Sequence, residues 1–320
     1  MTRQDDGPAV PLARPARLRP GSRVAVVAPS GPVPADRLEE GLAVLRDWGL
    51  EPVVGPHVRS THPELDYLAG TDADRAADLR AAWCDPSVEA VLCARGGFGA
   101  HRMVDLVDWA AIRAAGPKAF VGYSDITVLH EAFALRAGFA TLHGPMVATE
   151  TFLKDAPTRE HLRATLFEPE TVRTLGLASA GALVPGRAEG VLYGGCVSLL
   201  AADTGTPGGR SHARGNLLVI EDTGEEPYRL DGILTRLLRS GALAGVAGVA
   251  CGSWQECGPY EKLRAVLADR LGPLGIPVVE ELGFGHGTTA LTIPLGLPAV
   301  LDAPADGGRC TLTVEVPALL

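Results

Sequence analysis

"RVAVVAP", Arg23–Pro29, opens on an arginine and continues as an unbroken run of valine and alanine closed by a proline. A strand with one wet face alternates polar and apolar residues, whereas a strand covered on both faces has no need to. The run therefore predicts an interior strand of a parallel sheet. A helix follows it: Asp36 with Glu39 is a start signal, Leu38, Leu42, Leu45 and Trp48 share a face, and Gly49 ends it.

The same alternation continues along the chain. "EPVVG" reads as a strand, "DADRAADLRAAW" as a helix, "VEAVLCARGG" as a strand and "AHRMVDLVDWAAIRAAG" as one or two helices. "KAFVGYS" is the next strand, followed by a helix from Asp125 to about Ala137 and the strand "ATLHGPM". Repeated strand–helix alternation predicts a mostly parallel, doubly wound α/β sheet over residues 21–150, with ligands beyond the carboxyl ends of its strands. "ARGGFG" (Ala94–Gly99) and the break at Gly122–Asp125 fall at two such ends.

Residues 151–186 are polar, with one helix and then a Pro- and Gly-containing passage, and read as a connection. Residues 187–320 read as a smaller, β-rich α/β domain. Its helices fall from about Tyr228 to Ser240 and around Lys262–Leu271, and its last strands, "TALTIPLG", "PAVLD" and "CTLTVEVP", look antiparallel or mixed. The basic, Pro-rich "RPARLRP" places residues 1–20 in a disordered tail.

The chain has 320 residues, 46% of them hydrophobic, which suits two domains with real cores. A net charge of −9 argues against a nucleic-acid partner. No stretch is apolar and long enough for a bilayer or a signal peptide, so the expected location is the cytoplasm. The spacing of the six cysteines does not match a zinc site, and free thiols acting as small buried hydrophobes are expected. No metal or cofactor is expected.

In "KAFVGYSDITVLHEAF" (Lys118–Phe133), Ser124 stands where a strand breaks into a helix. It can cap the helix, or stand on a strained elbow as a nucleophile. The α/β-hydrolase pattern G-x-S-x-G is incomplete, because Ile126 occupies its last position. A serine nucleophile needs a base, and the base needs an orienting acid. Among the eight histidines, His57 and His62 lie in a polar loop and read as solvated. His130 falls within the helix after Ser124 and reads as packed or surface-exposed, and His143 ends a strand. His286 lies in "ELGFGHGTT", among glycines that let the backbone turn and leave the ring accessible. "LLVIEDTGEEPYRLD" ends an apolar strand at Glu221-Asp222, a position for an acid, a turn cap or a partner of Arg229. Backbone donors for an oxyanion are available at "ARGGFG" and at the N–H of Asp125.

The ordered blocks "VAVVAPSGPV", "ARGGFGAHRMVDLVD", "FVGYSDITVLHEAF", "LHGPM", "GGCVSLLAADTGTP", "VIEDTGEEPYRLDGILTRL" and "GFGHGTTALTIPLG" resemble the serine LD-carboxypeptidases of murein recycling. That family also includes the microcin C immunity peptidases, and the likeness runs from about Arg23 to the C-terminus. It implies a Ser-Glu-His triad of Ser124, Glu221 and His286, with oxyanion donors at Gly96, Gly97 and Asp125. It also implies a cytoplasmic homodimer that releases terminal D-alanine from a small muropeptide. An aminoacyl-nucleotide conjugate is the alternative substrate, and a non-catalytic small-molecule-binding protein the alternative outside enzymes. Arg95 is the candidate for a substrate carboxylate, with Tyr123 and Trp254 as further candidate contacts. Where the family usually reads Gly-Gly-Asn, this chain reads Gly194-Gly195-Cys196. Cys offers far less hydrogen bonding than Asn, so specificity is expected to differ if that Asn supports substrate.

Overall fold

In the computed structural model, which describes residues 9–206 and 208–320, the opening run is strand β1 (Arg23–Val27), with Val24–Val27 buried. β2 (Glu51–Val54) pairs parallel with it on one side and β3 (Ala90–Cys93) on the other. β4 (Ala119–Gly122) and β5 (Thr141–His143) continue the parallel order. Every residue of β3, β4 and β5 is buried, so both faces of the sheet are covered. The helix Ala35–Asp47 buries Leu38, Leu42 and Leu45, the face its spacing predicts. An aromatic cluster fills one side of the core: Trp83 and Phe133 lie 4.4 Å apart between ring centroids, and Phe120 lies 4.6 Å from Phe133. Such pairs contribute about 0.5–1.5 kcal/mol each beyond their buried area.

This sheet belongs to a compact unit of residues 12–172, 288–294 and 317–320. Its sixth strand, next to β5, comes from the C-terminal part of the chain and is named below. Residues 9–20 do not form the expected tail. Leu18 is buried and its N–H donates to Leu166 O, Ala13 bridges to Phe139, and Arg17 N–H donates to Leu320 O. Apolar Leu18 and the backbone pairing outweigh the tail's prolines and arginines. Residues 1–8 of the expected tail lie outside the described residues.

The other unit comprises residues 9–11, 173–287 and 295–316. Its strands are β6 (Thr174–Leu175), β7 (Gly181–Val184), β8 (Gly186–Cys196), β9 (Asn216–Thr223), β10 (Gly248–Gln255) and β11 (Val278–Glu280). After β12 (Ile293–Leu295), which is the edge strand beside β5, come β13 (Pro298–Ala303) and β14 (Thr311–Val314). The order is β6-β14-β13-β8-β9-β10-β11-β7. β8 to β11 run parallel, and the flanking pairs are antiparallel. The expected connection at 151–186 is divided. The helices Glu150–Lys154 and Ala156–Phe167 belong to the first unit, while β6 and β7 are edge strands of the second sheet. Strands this short carry too few residues to show a period. No helix among the described residues is long and apolar enough to cross a membrane.

Candidate active site

β4 ends at Gly122, and Tyr123 leads into a short 3₁₀ turn, Ser124–Ile126, that continues as the helix Thr127–Ala132. Tyr123, not Ser124, holds the N-cap position of this turn, and Ser124 has a φ of +64°. A side-chain-bearing residue in this left-handed region is strained by about 1–2 kcal/mol. An N-cap residue has an extended backbone, so this conformation fits the strained elbow of the two alternatives better than the cap. The carbonyl of Gly122 is fixed from two sides, by Gly144 N–H at 3.0 Å and by His130 Nε2 at 2.9 Å. Since a carbonyl only accepts, His130 carries its proton on Nε2 and accepts from Thr141 Oγ1 at Nδ1, 2.9 Å away. Burial and neighbouring His143 push its pKa down to about 3, so the ring is neutral. His130 is a packed histidine that holds the strand end before Ser124.

Gly96 lies against this elbow. A Cβ there would meet Ser124 Oγ at 3.0 Å and Ser124 Cβ at 2.9 Å, so no larger residue fits. Gly97 has a φ of +117° and is exposed. The turn after β1 reaches the same place, with Gly31 N–H donating to Gly96 O at 3.1 Å. The Asp125 side chain, unlike its N–H, has no mark in the local sequence, and it is buried. Its Oδ2 accepts Ser30 Oγ at 2.6 Å and Ala100 N–H at 2.8 Å.

The candidate acid and base, Glu221 and His286, meet in the second unit. Glu221, near the carboxyl end of β9, is fully buried, and its Oε2 lies 2.6 Å from His286 Nδ1. The same oxygen accepts His286 N–H at 3.2 Å. A carboxylate oxygen can only accept, so Nδ1 carries the proton and donates it in the hydrogen bond, and in the neutral ring Nε2 is left as the basic nitrogen. Burial alone would lower the His286 pKa, but the Glu221 charge and hydrogen bond, with Asp222 adding, raise it above the ordinary value. The loop carrying His286 docks on an irregularity of β10, whose register against β9 shifts between Cys251 and Trp254. Ser253 N–H donates to Phe284 O at 2.8 Å, and Gly287 N–H donates to Ser253 Oγ at 2.7 Å.

Gly285 is required by both its backbone and its surroundings. Its φ is +94°, and a Cβ would lie 2.5 Å from Glu221 Oε2. Gly285→Ala is expected to destabilise the chain by about 2–5 kcal/mol, summing backbone strain and overpacking. It should also displace Glu221 from His286. Chemical denaturation measures the first effect, and a shift of 0.5 kcal/mol or less would contradict the reading of this loop.

Asp222 faces a different network. It accepts Ser198 N–H at 2.8 Å and Cys196 Sγ–H at 3.1 Å. Burial and the neighbouring Glu221 charge push its pKa up. Burial, then the Glu221 and Asp222 charges, push the Cys196 thiol well above its ordinary value, which keeps it protonated and poorly nucleophilic. Five of the six cysteines are buried as expected, and Cys84 is exposed.

The remaining candidates are dispersed. Arg95 is half-buried, with Nη1 on Pro32 O at 2.9 Å. Tyr123 is 6% exposed and stands edge-on to His143, so it has little surface to offer a substrate. Trp254 is half-buried on β10, opposite Asp222 in register. His57 leaves 37% of its side chain exposed, as its loop suggested, but it also has a partner. Asp78 takes its Nδ1 at 2.7 Å and raises its pKa.

Comparison with known proteins finds two successive family matches along the chain. The LD-carboxypeptidase N-terminal domain matches residues 24–144 and the LD-carboxypeptidase C-terminal domain residues 189–301. A putative carboxypeptidase of Streptomyces coelicolor is 67% identical over 96% of this chain and 98% of its own length. The murein tetrapeptide carboxypeptidase of Pseudomonas aeruginosa is 34% identical over 88% of this chain and 93% of its own. Among solved structures, the muramoyltetrapeptide carboxypeptidase from Oxalobacter formigenes superposes with a TM-score of 0.78 at 29% identity, covering 92% of this chain and 99% of that one. The chain is therefore a member of the LD-carboxypeptidase family, a serine-type peptidase.

Proposed function

We propose that the chain hydrolyses the LD peptide bond of murein tetrapeptide and releases its terminal D-alanine, as part of peptidoglycan recycling. The observation that carries the catalytic assignment is the Glu221–His286 pair, which fixes the proton on Nδ1 and leaves Nε2 basic. The strained Ser124 elbow against Gly96 supplies the nucleophile. The substrate is carried by the names of relatives, including the Pseudomonas enzyme at 34% identity.

In the proposed reaction Ser124 Oγ bonds to the scissile carbonyl carbon as His286 Nε2 takes its proton. The carbonyl electron pair moves to oxygen, where the N–H groups of Gly96, Gly97 and Asp125 receive it. The tetrahedral species collapses, the C–N bond breaks, and His286 returns the proton to the departing amine of D-alanine. Water then attacks the acyl-serine ester with His286 again as base, and Ser124 is regenerated. Arg95 uses one of its donors on Pro32 and has others for the terminal carboxylate.

The test is incubation with a diaminopimelate tetrapeptide, a lysine tetrapeptide and an aminoacyl-nucleotide conjugate, read by mass spectrometry. Loss of one alanine from a tetrapeptide is the expected outcome. Intact tetrapeptides beside a hydrolysed conjugate would assign the chain to immunity-type chemistry instead. The fold is shared with the microcin C7 self-immunity protein MccF (TM-score 0.81), but at 22% identity this likeness extends to fold alone.

A further inference from the structure

Three loops leave neighbouring strand ends of the parallel sheet. They are Pro29–Gly31 after β1, Ala94–Gly99 after β3, and the Ser124 elbow after β4. Two of them carry the proposed oxyanion donors. Separate loops do not hold sub-ångström register by themselves, yet a donor aimed at a developing oxyanion must be in place before the reaction. One side chain joins all three. Asp125 belongs to the elbow, its Oδ2 accepts the hydroxyl of Ser30 at 2.6 Å, and the same oxygen accepts Ala100 N–H at 2.8 Å, at the end of the glycine loop. Arg75, 1% exposed, adds a second tie, with Nη1 on Pro29 O at 2.5 Å and on Gly99 O at 2.9 Å.

We propose that the Asp125 carboxylate is the positioning residue of the oxyanion hole, a latch that sets the glycine loop against the serine elbow. The inference rests on the reading of Ser124 as nucleophile and deepens it. Asp125 needs no contact with substrate, since it acts through the backbone it holds. It is 2% exposed, and a buried carboxylate is tolerated only where its hydrogen bonds are made. Its function as a latch depends on an acceptor at Oδ2. A negative charge at that position is not required by the oxyanion and opposes it.

The latch and the charge are separable by substitution. Asp125→Asn keeps an acceptor where Oδ2 stands, and Asp125→Ala removes it. With the tetrapeptide as substrate, Asp125→Ala is expected to lower kcat about 10²-fold with KM within about threefold, the range for losing an oxyanion donor. Asp125→Asn is expected to keep kcat within about tenfold of the wild type. Labelling of Ser124 by a fluorophosphonate, in which the serine oxygen bonds to phosphorus and fluoride leaves, should slow in the same order and requires no knowledge of the substrate.

A folded Asp125→Ala protein with wild-type kcat and labelling rate overturns the proposal. Equal losses in the Asn and Ala variants also overturn it, because charge would then matter and not the latch. If Asp125→Ala does not fold, Ser30→Ala decides, since it removes one arm only. A fall of about tenfold in kcat is expected there, and an unchanged kcat rejects the latch. Ser124→Ala, run in parallel, separates the two readings: if it stays active, the catalytic assignment fails with the latch, and if it is dead while Asp125→Ala is not, only the latch fails.

Discussion

Ser124→Ala is expected to lower kcat by about 10⁴–10⁶-fold with the fold intact, as for loss of the nucleophile in other serine peptidases. Background hydrolysis in such variants comes from the remaining donors and base. The structure adds a stability prediction that distinguishes an elbow from a cap. At φ +64° any Cβ is strained, by about 1–2 kcal/mol. Glycine has no such strain but loses about 0.5–1 kcal/mol through greater freedom in the unfolded chain. Ser124→Gly should therefore be more stable than Ser124→Ala by about 0.5–1 kcal/mol, while both are inactive. At a cap or in an ordinary helix the order reverses, because alanine is the better helix former. Parallel denaturation curves of the two variants read the sign directly. An alanine variant more stable than the glycine variant would show that the elbow stores no strain.

The parts of this molecule that were legible in its sequence are those where one physical demand dominates. Val24–Val27 had to be buried on both faces, and the absence of alternation says so. Leu38, Leu42 and Leu45 had to share a helix face. Glu221 at a strand end and His286 among glycines were visible as residue types in suitable places. Gly285 shows why the glycines are needed, since its neighbour Oε2 leaves no room for a Cβ. The illegible parts depend on partners far apart in the chain. Nothing local marks Asp125 as the acceptor of Ser30, 95 positions away, or assigns β12 to a sheet whose other strands end at His143. Residues 9–20 misled for the same reason. Their composition is that of a tail, and Leu18 is held by Leu166. His57 read as a loop histidine because Asp78, its partner, lies on the next helix, Asp72–Cys84.

Glu221→Gln tests the acid–base half of the site, and its expected effect has a size and a direction. Loss of kcat can come from inverting the tautomer of His286 or from losing the charge that steadies its protonated form. Inversion costs roughly 10⁴-fold in the serine peptidases where it occurs. Here it is disfavoured, because the Oε2 position also receives His286 N–H at 3.2 Å and so selects the oxygen end of a glutamine amide. The ring then keeps its proton on Nδ1 and only the charge is lost, giving an expected fall of about 10²–10³-fold. Direction follows from the raised pKa. His286 is productive when neutral, so wild-type kcat/KM should climb as pH rises through a value above 6.5. With Glu221 neutralised that limb should move to lower pH. Stability runs the opposite way. A histidine whose pKa is raised by folding stabilises the native state fully below its unfolded pKa, and the contribution is lost as pH rises through the folded one. The wild type should therefore lose some thermal stability over the pH range in which it gains activity, and Glu221→Gln, which leaves burial as the largest influence on the ring, should reverse that dependence. An acid limb that stays in place or moves upward in the variant would mean that Glu221 does not set the basicity of His286, whatever its distance from the ring.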